Sequence, residues 1–314
     1  MPTRSDAELS RDVARQAGQL LLELRAGFGP IDDKEAATAL RKQADRAAHE
    51  LIMAELTAAR PGDAILSEEG KDDDRRLSAS RVWIVDPLDG TWEYGQGRAD
   101  FAVHIALWEP AGAVLSAATV DLPDQGLSRS VLDDVEAPPA LPTDRPLRIV
   151  ASRSRPPATL PRTVEILSAR LAEAGITDRG VEIVDVGSVG AKVNELIAGR
   201  AEAYVHDTGF YEWDVAAPYG VAAHYGLVPS HVDGSPVLFN HMPPYVTDLV
   251  VSHPALVGHL LHAGRLAGHV VAGAGGWGHH HDWHRHAARP QPANGLGRIR
   301  FTQVDHHQVG WEGV

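Results

Sequence analysis

The sequence predicts a layered α/β protein built as two intimately packed halves. Three observations lead there. Helix-spaced apolar residues alternate along the chain with short apolar runs. One such run, "RVWIVD" at 81–86, lacks in–out alternation, as a strand covered on both faces should. A proline-rich stretch without periodicity, "DDVEAPPALPTDRP" at 133–146, divides the chain. The expected organisation is an N-terminal α+β half over 1–137, a linker at 138–146, a C-terminal α/β half over 147–266 and a tail over 267–314.

The elements follow in order. Residues 5–26 predict an amphipathic helix: Ser5 and Glu8 fit a capping box, and Leu9, Val13, Leu20, Leu21 and Leu24 recur at helical spacing. A second helix fits about 44–59, stopped by "RPG" at 60–62. "AILSEE" (64–69), "RVWIVD" and "FAVHIALW" (101–108) predict strands. Beyond the linker come a strand at 147–152, a helix near 159–174, a strand at 181–186, a helix near 189–198 and a strand at 201–206. A helix at 213–226 follows, then a hairpin around Asp233-Gly234, and a last helix at 254–266. There is no internal repeat.

Composition excludes several classes of function. The chain has 314 residues, 44% apolar, enough for one large domain or two intimate ones. It has no apolar run of roughly 18 residues, and its start, "MPTRSDAELSRD", lacks a secretory layout, so a cytoplasmic protein without a membrane is expected. Without cysteine there are no disulfides and no thiolate metal sites. A net charge of −13 repels a polynucleotide backbone but tolerates a small phosphorylated substrate, because metal held by acidic side chains reverses the local sign.

The chemistry gathers at "DPLDGT", 86–91. Asp86 ends a strand, Pro87 keeps the residue before it extended, and Gly90 permits a tight turn. Two carboxylates and the Leu88 carbonyl between them are hard oxygen donors suited to magnesium. A phosphate beside the metal can rest on the N–H groups of Gly90, Thr91 and Trp92. Alone, the pair also fits a capped helix with solvated aspartates. Four further acidic residues accompany it: Glu68 and Glu69 at a strand end, Asp214 at a helix start, and Asp45 at the head of the second helix. Each alone fits an exposed turn or an N-cap. Together they form a pattern. His49 and His104 read as surface or packed histidines, and Trp83 as core.

In this order, Glu68-Glu69, "DPLDGT" and "WDVAA" (213–217) resemble the inositol monophosphatase superfamily over about residues 5–266. The resemblance implies a five-layer αβαβα sandwich and a lithium-sensitive phosphatase using two or three Mg2+ ions. It implies Glu68, Asp86, the Leu88 carbonyl, Asp89 and Asp214 as metal ligands. It also implies Asp45, Thr91 and Glu68 as the groups that activate water, with Thr91 held by Asp45. Trp92-Glu93-Tyr94 and Glu212 before Trp213 are similar to the CysQ-type 3'(2'),5'-bisphosphate nucleotidases. "ASRSRPP" (151–157) and "GSVGAK" (187–192) resemble two further segments of that group. That likeness implies substrate contacts at Glu93, Arg155, Ser188, Lys192, His206 and Glu212. His206 stands where the group often has Arg, and neutral imidazole bonds phosphate less well.

The implied substrate is 3'-phosphoadenosine 5'-phosphate or its phosphosulfate, a step in sulfate assimilation, with the enzyme a monomer or homodimer. An inositol monophosphatase or fructose 1,6-bisphosphatase with the same machinery is the alternative. A third reading is an inactive nucleotide- or metal-binding protein. Its metal site would be the Gly- and His-rich tail, where "GHHHDWHRH" suits nickel or zinc. That tail otherwise reads as a disordered, solvated extension.

Overall fold

The computed structural model describes residues 4–29, 33–135 and 137–268. The expectations for the tail from 269 onward lie outside the described residues. Among the described residues, no helix is long and apolar enough to cross a membrane.

Helix α1 (Asp6–Gly27) opens with the predicted reciprocal cap: Glu8 N–H donates to the Ser5 hydroxyl at 3.2 Å, and Ser5 N–H donates to the Glu8 carboxylate at 2.8 Å. Helix α2 (Lys34–Ala59) begins ten residues before the predicted start, capped by Asp33 accepting from Ala36 N–H at 2.8 Å. The inward stripe of its first half is Ala37, Leu40, Ala44 and Ala48. Alanines among lysines and arginines carry little apolar signal, yet they let α1 and α2 pack closely. Asp45 therefore lies inside α2, not at its head.

The chain then runs through β1 (Ala64–Ser67), β2 (Val82–Asp89), the short α3 (Thr91–Gly95), β3 (Ala102–Glu109), β4 (Val114–Leu122) and β5 (Leu127–Ser130). The five strands form one sheet in sequence order, β1 parallel to β2 and the rest antiparallel. β4 and β5 carry no clear strand signal, because "LSAAT" is rich in small residues. The second half is β6 (Leu147–Ser152), α4 (Leu160–Glu173), β7 (Val181–Val186), α5 (Val189–Ile197), β8 (Ala203–His206), β9 (Phe210–Tyr211), α6 (Glu212–His224), β10 (Val228–Ser230), β11 (Tyr245–Val246), β12 (Leu249–Ser252) and α7 (Val257–Ala267). Its sheet runs β10-β12-β8-β6-β7, while β9 and β11 make a separate two-stranded ribbon.

The predicted hairpin is corrected. Asp233-Gly234 does form a tight turn, with Gly234 N–H on His231 O at 2.9 Å. However, β10 pairs with β12, not with the residues just beyond the turn. Pro236, Pro243 and Pro244 cannot donate to a ladder, so the returning chain stays irregular until β11.

Three buried clusters define five layers. Trp83, Val85 and Ile105 on one face of the first sheet pack against α1 and α2. Val82, Ile84 and Ala106 on the other face pack on α5 and α6, which also cover Val150, Tyr204 and Val251 of the second sheet. The outer face of that sheet is closed by Leu160, Leu167 and Leu171 of α4 and Leu260 and Ala263 of α7. The order helix–sheet–helix–sheet–helix matches the expected αβαβα sandwich. Neighbours on β2 thus serve different cores, which explains its unbroken apolar run. Trp83 is core, with its indole N–H on Asp63 Oδ2 at 2.9 Å. The two inner helices both begin at the end of β2, and this places their N-termini at the acidic cluster.

Candidate active site

The carboxylates converge because β2 is irregular. Residues three apart on a regular strand point to opposite faces. Against β3, Asp86 pairs with His104 and Asp89 with Ala102: three steps on β2 oppose two on β3. The extra residue is a bulge, and it returns Asp86 and Asp89 to one side. One oxygen of each, with one from Asp214, lie within 4.8 Å of one another. Strand β2 therefore continues to Asp89 instead of ending at Asp86.

Glu68 reaches the same place by register. Ser67 pairs with Val85 in the parallel ladder, and Glu68 N–H bonds Val85 O at 3.3 Å, which sets Glu68 beside Asp86. Asp214 sits in the first turn of α6, where Tyr211 N–H donates to its Oδ2 at 2.8 Å. It thus both caps the helix and belongs to the cluster. Asp89 Oδ2 accepts Gly190 N–H from the first turn of α5 at 3.2 Å and lies 3.3 Å from His104 Nε2. Asp86 Oδ1 accepts Leu88 N–H at 2.9 Å. Its buried Oδ2 has no hydrogen-bond partner of good geometry among the described residues, although the Glu68 carboxyl lies alongside.

Burial and mutual repulsion raise the carboxyls of the cluster. Burial of the carboxyl end first, then the Asp214 charge, pushes Glu68 up to about 8, although the residue as a whole is exposed. Burial and then Asp89 push Asp214 up to about 7. Burial, then Glu68, Asp89 and Asp214, hold Asp86 well above the usual carboxylate range. Asp45 is raised to about 7 by burial and then by Glu69, with Arg41 opposing. Crowded carboxyls with an orphaned buried oxygen are a poor arrangement for protons alone and a good one for a hard divalent cation. The donor set fits such an ion.

Around the cage, Gly90 caps α3 with φ of 84°, and a β-carbon there would lie 3.1 Å from both Asp100 O and Ser188 Cβ. Only glycine fits this approach. Thr91 Oγ1 donates to Leu88 O at 2.9 Å. Among the described residues it has no hydrogen bond to Asp45, so the expected Thr91–Asp45 bond is replaced by a tie to Leu88. Trp92 is exposed.

The predicted substrate contacts divide. Arg155 is exposed, its guanidinium has no carboxylate partner among the described residues, and its charge reaches Asp214 and Tyr245. Glu93 is bound by Arg153 at 3.0 Å. Ser188 is the N-cap of α5, its Oγ accepting Ala191 N–H at 2.9 Å. Lys192 is buried, and its ammonium bonds Gly187 O and Ser188 O over the Tyr204 ring, with burial pushing it down to about 8. His206 is buried, its Nε2 placed to donate to Gly209 O and lying 3.1 Å from Thr208 Oγ1, and burial pushes it down to about 4, which favours the neutral ring. Glu212 is fully buried. Its oxygens accept Asn240 N–H at 2.6 Å and His241 N–H at 2.7 Å, so it anchors a loop instead of facing the cleft.

Three participants were not read from the sequence. Arg153 also grips Asp100 at 2.9 Å, and Asp100 accepts Gly187 N–H at 2.9 Å, which staples the loop after β2 to the second half. Arg153 stands in the quoted "ASRSRPP", but nothing in that segment favours it over Arg155. His104 was read as packed, and it is fully buried, yet it touches Asp89. Gly190 carries no residue-type signal at all. His49 is half-buried, its ring bonded to Ser67 Oγ at 2.9 Å.

Comparison with known proteins agrees with this geometry. The inositol monophosphatase family model matches residues 4–265. A Mycobacterium leprae protein named 3'-phosphoadenosine 5'-phosphate phosphatase is 42% identical over 257 residues, covering 79% of this chain and 89% of its own length. The Escherichia coli protein named 3'(2'),5'-bisphosphate nucleotidase CysQ is 29% identical over 239 residues, covering 72% and 90%. The crystal structure of CysQ from Bacteroides thetaiotaomicron superposes with a TM-score of 0.60 at 25% identity, covering 80% of this chain and 98% of its own. With the layers, the caged carboxylates and the match over nearly all described residues in agreement, the chain belongs to the inositol monophosphatase family.

Proposed function

We propose that this chain is a Mg2+-dependent phosphatase that removes the 3'-phosphate of 3'-phosphoadenosine 5'-phosphate, giving AMP, and of its phosphosulfate, giving adenosine 5'-phosphosulfate. The observation that supports the reading is the cluster of Asp86, Asp89 and Asp214 oxygens at the β2 bulge, in a chain with relatives named for this substrate. Two or three bound Mg2+ ions would supply positive charge against the phosphoryl group and activate water for in-line attack.

The chain's own residues do the rest. Glu68, Asp86, Asp89, Asp214 and the Leu88 carbonyl would hold the ions. Thr91, whose hydroxyl proton is engaged by Leu88 O, keeps its lone pairs to accept a hydrogen bond from water and aim it. Asp45, raised to about 7, is poised to take up a proton near neutral pH. The N–H groups at the start of α3 have no intrahelical acceptors and can receive phosphate oxygens. Arg155, whose guanidinium has no carboxylate partner among the described residues, can meet the phosphate remote from the cage. Lys192 and His206 serve better as supports of the cleft wall than as phosphate ligands, and Ser188 as the cap that starts α5.

The test is phosphate release, side by side and with Mg2+, from 3'-phosphoadenosine 5'-phosphate, inositol 1-phosphate and fructose 1,6-bisphosphate. The adenosine bisphosphate should be preferred at least about tenfold, a margin one well-made charged contact supplies. A tenfold preference for inositol phosphate instead would refute the nucleotide reading.

A further inference from the structure

An aromatic cluster at the start of α6 has no part in the chemistry above. In the β9–β11 ribbon Tyr211 stands directly opposite Tyr245, and Phe210 opposite Val246. Phe210 and Val246 are buried, whereas Tyr211 and Tyr245 are 40% and 39% exposed. Tyr211 lies flat on Trp213, with centroids 4.6 Å apart and planes 9° from parallel. Tyr245 meets Tyr211 edge-on at 5.9 Å and 85°. The Tyr245 phenol crosses Gly209 so closely that a β-carbon there would overlap it.

The rings are held in place by buried charge. Glu212, next to Tyr211, binds the backbone of Asn240 and His241, and its own N–H donates to Pro244 O at 3.0 Å. Arg76, also buried, binds Asn240 Oδ1 at 2.6 Å and His241 O at 2.7 Å, and is itself paired with Asp72. The loop that delivers Tyr245 is thus fixed from two sides. A merely structural cluster has no need to turn two rings outward on so well-anchored a ribbon.

Location supplies the occupant. Tyr211 N–H is bonded to Asp214 Oδ2, so the rings begin at the rim of the carboxylate cage. Arg155, without a carboxylate partner among the described residues, acts electrostatically on both Tyr245 and Asp214 and so lies near the same rim. A flat π-face, a cation and a metal cage side by side match a base, a second phosphate and a scissile phosphate. Inositol and fructose phosphates have no flat ring to offer.

We infer that Tyr211 and Tyr245, backed by Trp213, form the wall on which the base of the nucleotide stacks, and that these rings separate nucleotides from base-free phosphate esters. The inference rests on the nucleotide reading above and assigns its base subsite. Stacking tolerates any base, so the wall selects for a base over none and leaves the choice between bases to other contacts.

The test is equilibrium binding of AMP and of ribose 5-phosphate, which differ only by the base, to the full chain with Mg2+ present. Wild type, Tyr211→Leu, Tyr245→Leu and Tyr211→Phe are measured. Wild type should bind AMP about tenfold or more tightly than ribose 5-phosphate, within the range that stacking one base supplies. Each leucine variant should bring that ratio toward one, and Tyr211→Phe, which keeps the ring, should retain it. Because the readout is a ratio within one preparation, a partly unfolded variant does not mimic the result. An unchanged ratio in both leucine variants overturns the wall, as does a wild type indifferent to the base. A wild type that releases phosphate best from the adenosine bisphosphate while the leucine variants keep their ratio removes the wall and leaves the nucleotide reading standing. Ring-dependent AMP binding in an enzyme that prefers inositol 1-phosphate removes that reading and keeps the wall.

Discussion

Asp86 shows how much one side chain depends on its neighbours. Its raised ionisation comes from burial first and then from the carboxylates of Glu68, Asp89 and Asp214 around it. Glu68, Asp214 and Asp45 share it, at about 8, 7 and 7. Each is held above its unfolded value, so the folded chain binds more protons than the unfolded one from about pH 4 to about 8. The stability these groups contribute is therefore present at low pH and lost as pH rises through that window. A divalent cation should replace the protons. We expect the gap in Tm between Mg2+ and EDTA to widen by several degrees from pH 5.5 to 8, each ~1 kcal/mol counting for about 2–4 °C in a chain of this size. A thermal-shift series with a constant or narrowing gap would contradict the cage. At this scale the sequence was legible for residue type and opaque for direction. Asp86, Asp89 and Asp214 are chemically obvious once grouped. No pattern shows that Lys192 folds back on its own helix, or that Glu212 is consumed by a loop about thirty residues later.

Elements supply the direction. The β2 bulge turns two carboxylates to one side, and the first turn of α5 then fixes Asp89 through the Gly190 N–H. A β-carbon on Gly190 would come within 2.5 Å of His104 Nε2 and 2.7 Å of Val120 Cγ1. Gly190→Ala should therefore push α5 away from Asp89. The expected loss is about 1–3 kcal/mol from overpacking, seen in denaturant unfolding. Mg2+ activation should also weaken by about 10- to 100-fold, as when a metal ligand loses its supporting contact. If the variant keeps the wild-type Mg2+ activation curve, the α5 contact has no part in holding Asp89. Most elements were legible from periodicity and caps: α1, α4, α5, α6 and the central strands lie within a few residues of expectation. The failures share a physical origin. The first half of α2 and the middle of β4, at Ala117 and Ala118, bury alanine where a pattern search looks for leucine or valine, and close helix packing, not side-chain bulk, is what they provide.

The whole molecule is a sandwich whose two inner helices are shared by both sheets, so the cage draws on both halves of the chain. Glu68, Asp86 and Asp89 come from the first half and Asp214 from the second, and the Arg153–Asp100–Gly187 contacts staple them. The layer order was legible because strands and helices alternate in two groups. The meeting of the halves was not, since it depends on register and on which helix ends face inward. All of these elements end by Ala267, and the family match ends at 265. A chain truncated after residue 268 should keep its Mg2+-dependent turnover within about twofold, because the proposed ligands and the family match all lie before that point. A marked loss in that assay would give the tail a catalytic part. Hydrolysis of the phosphate ester is assigned to this cage acting through bound metal. Turnover of 3'-phosphoadenosine 5'-phosphate at saturating Mg2+ by Asp89→Ala, with its fold checked by circular dichroism, tests it most directly. Loss of a central ligand should lower turnover by at least about 10²-fold, the scale at which electrostatic stabilisation of a transition state is lost, with the fold unchanged. Near-normal turnover in that variant would contradict the account.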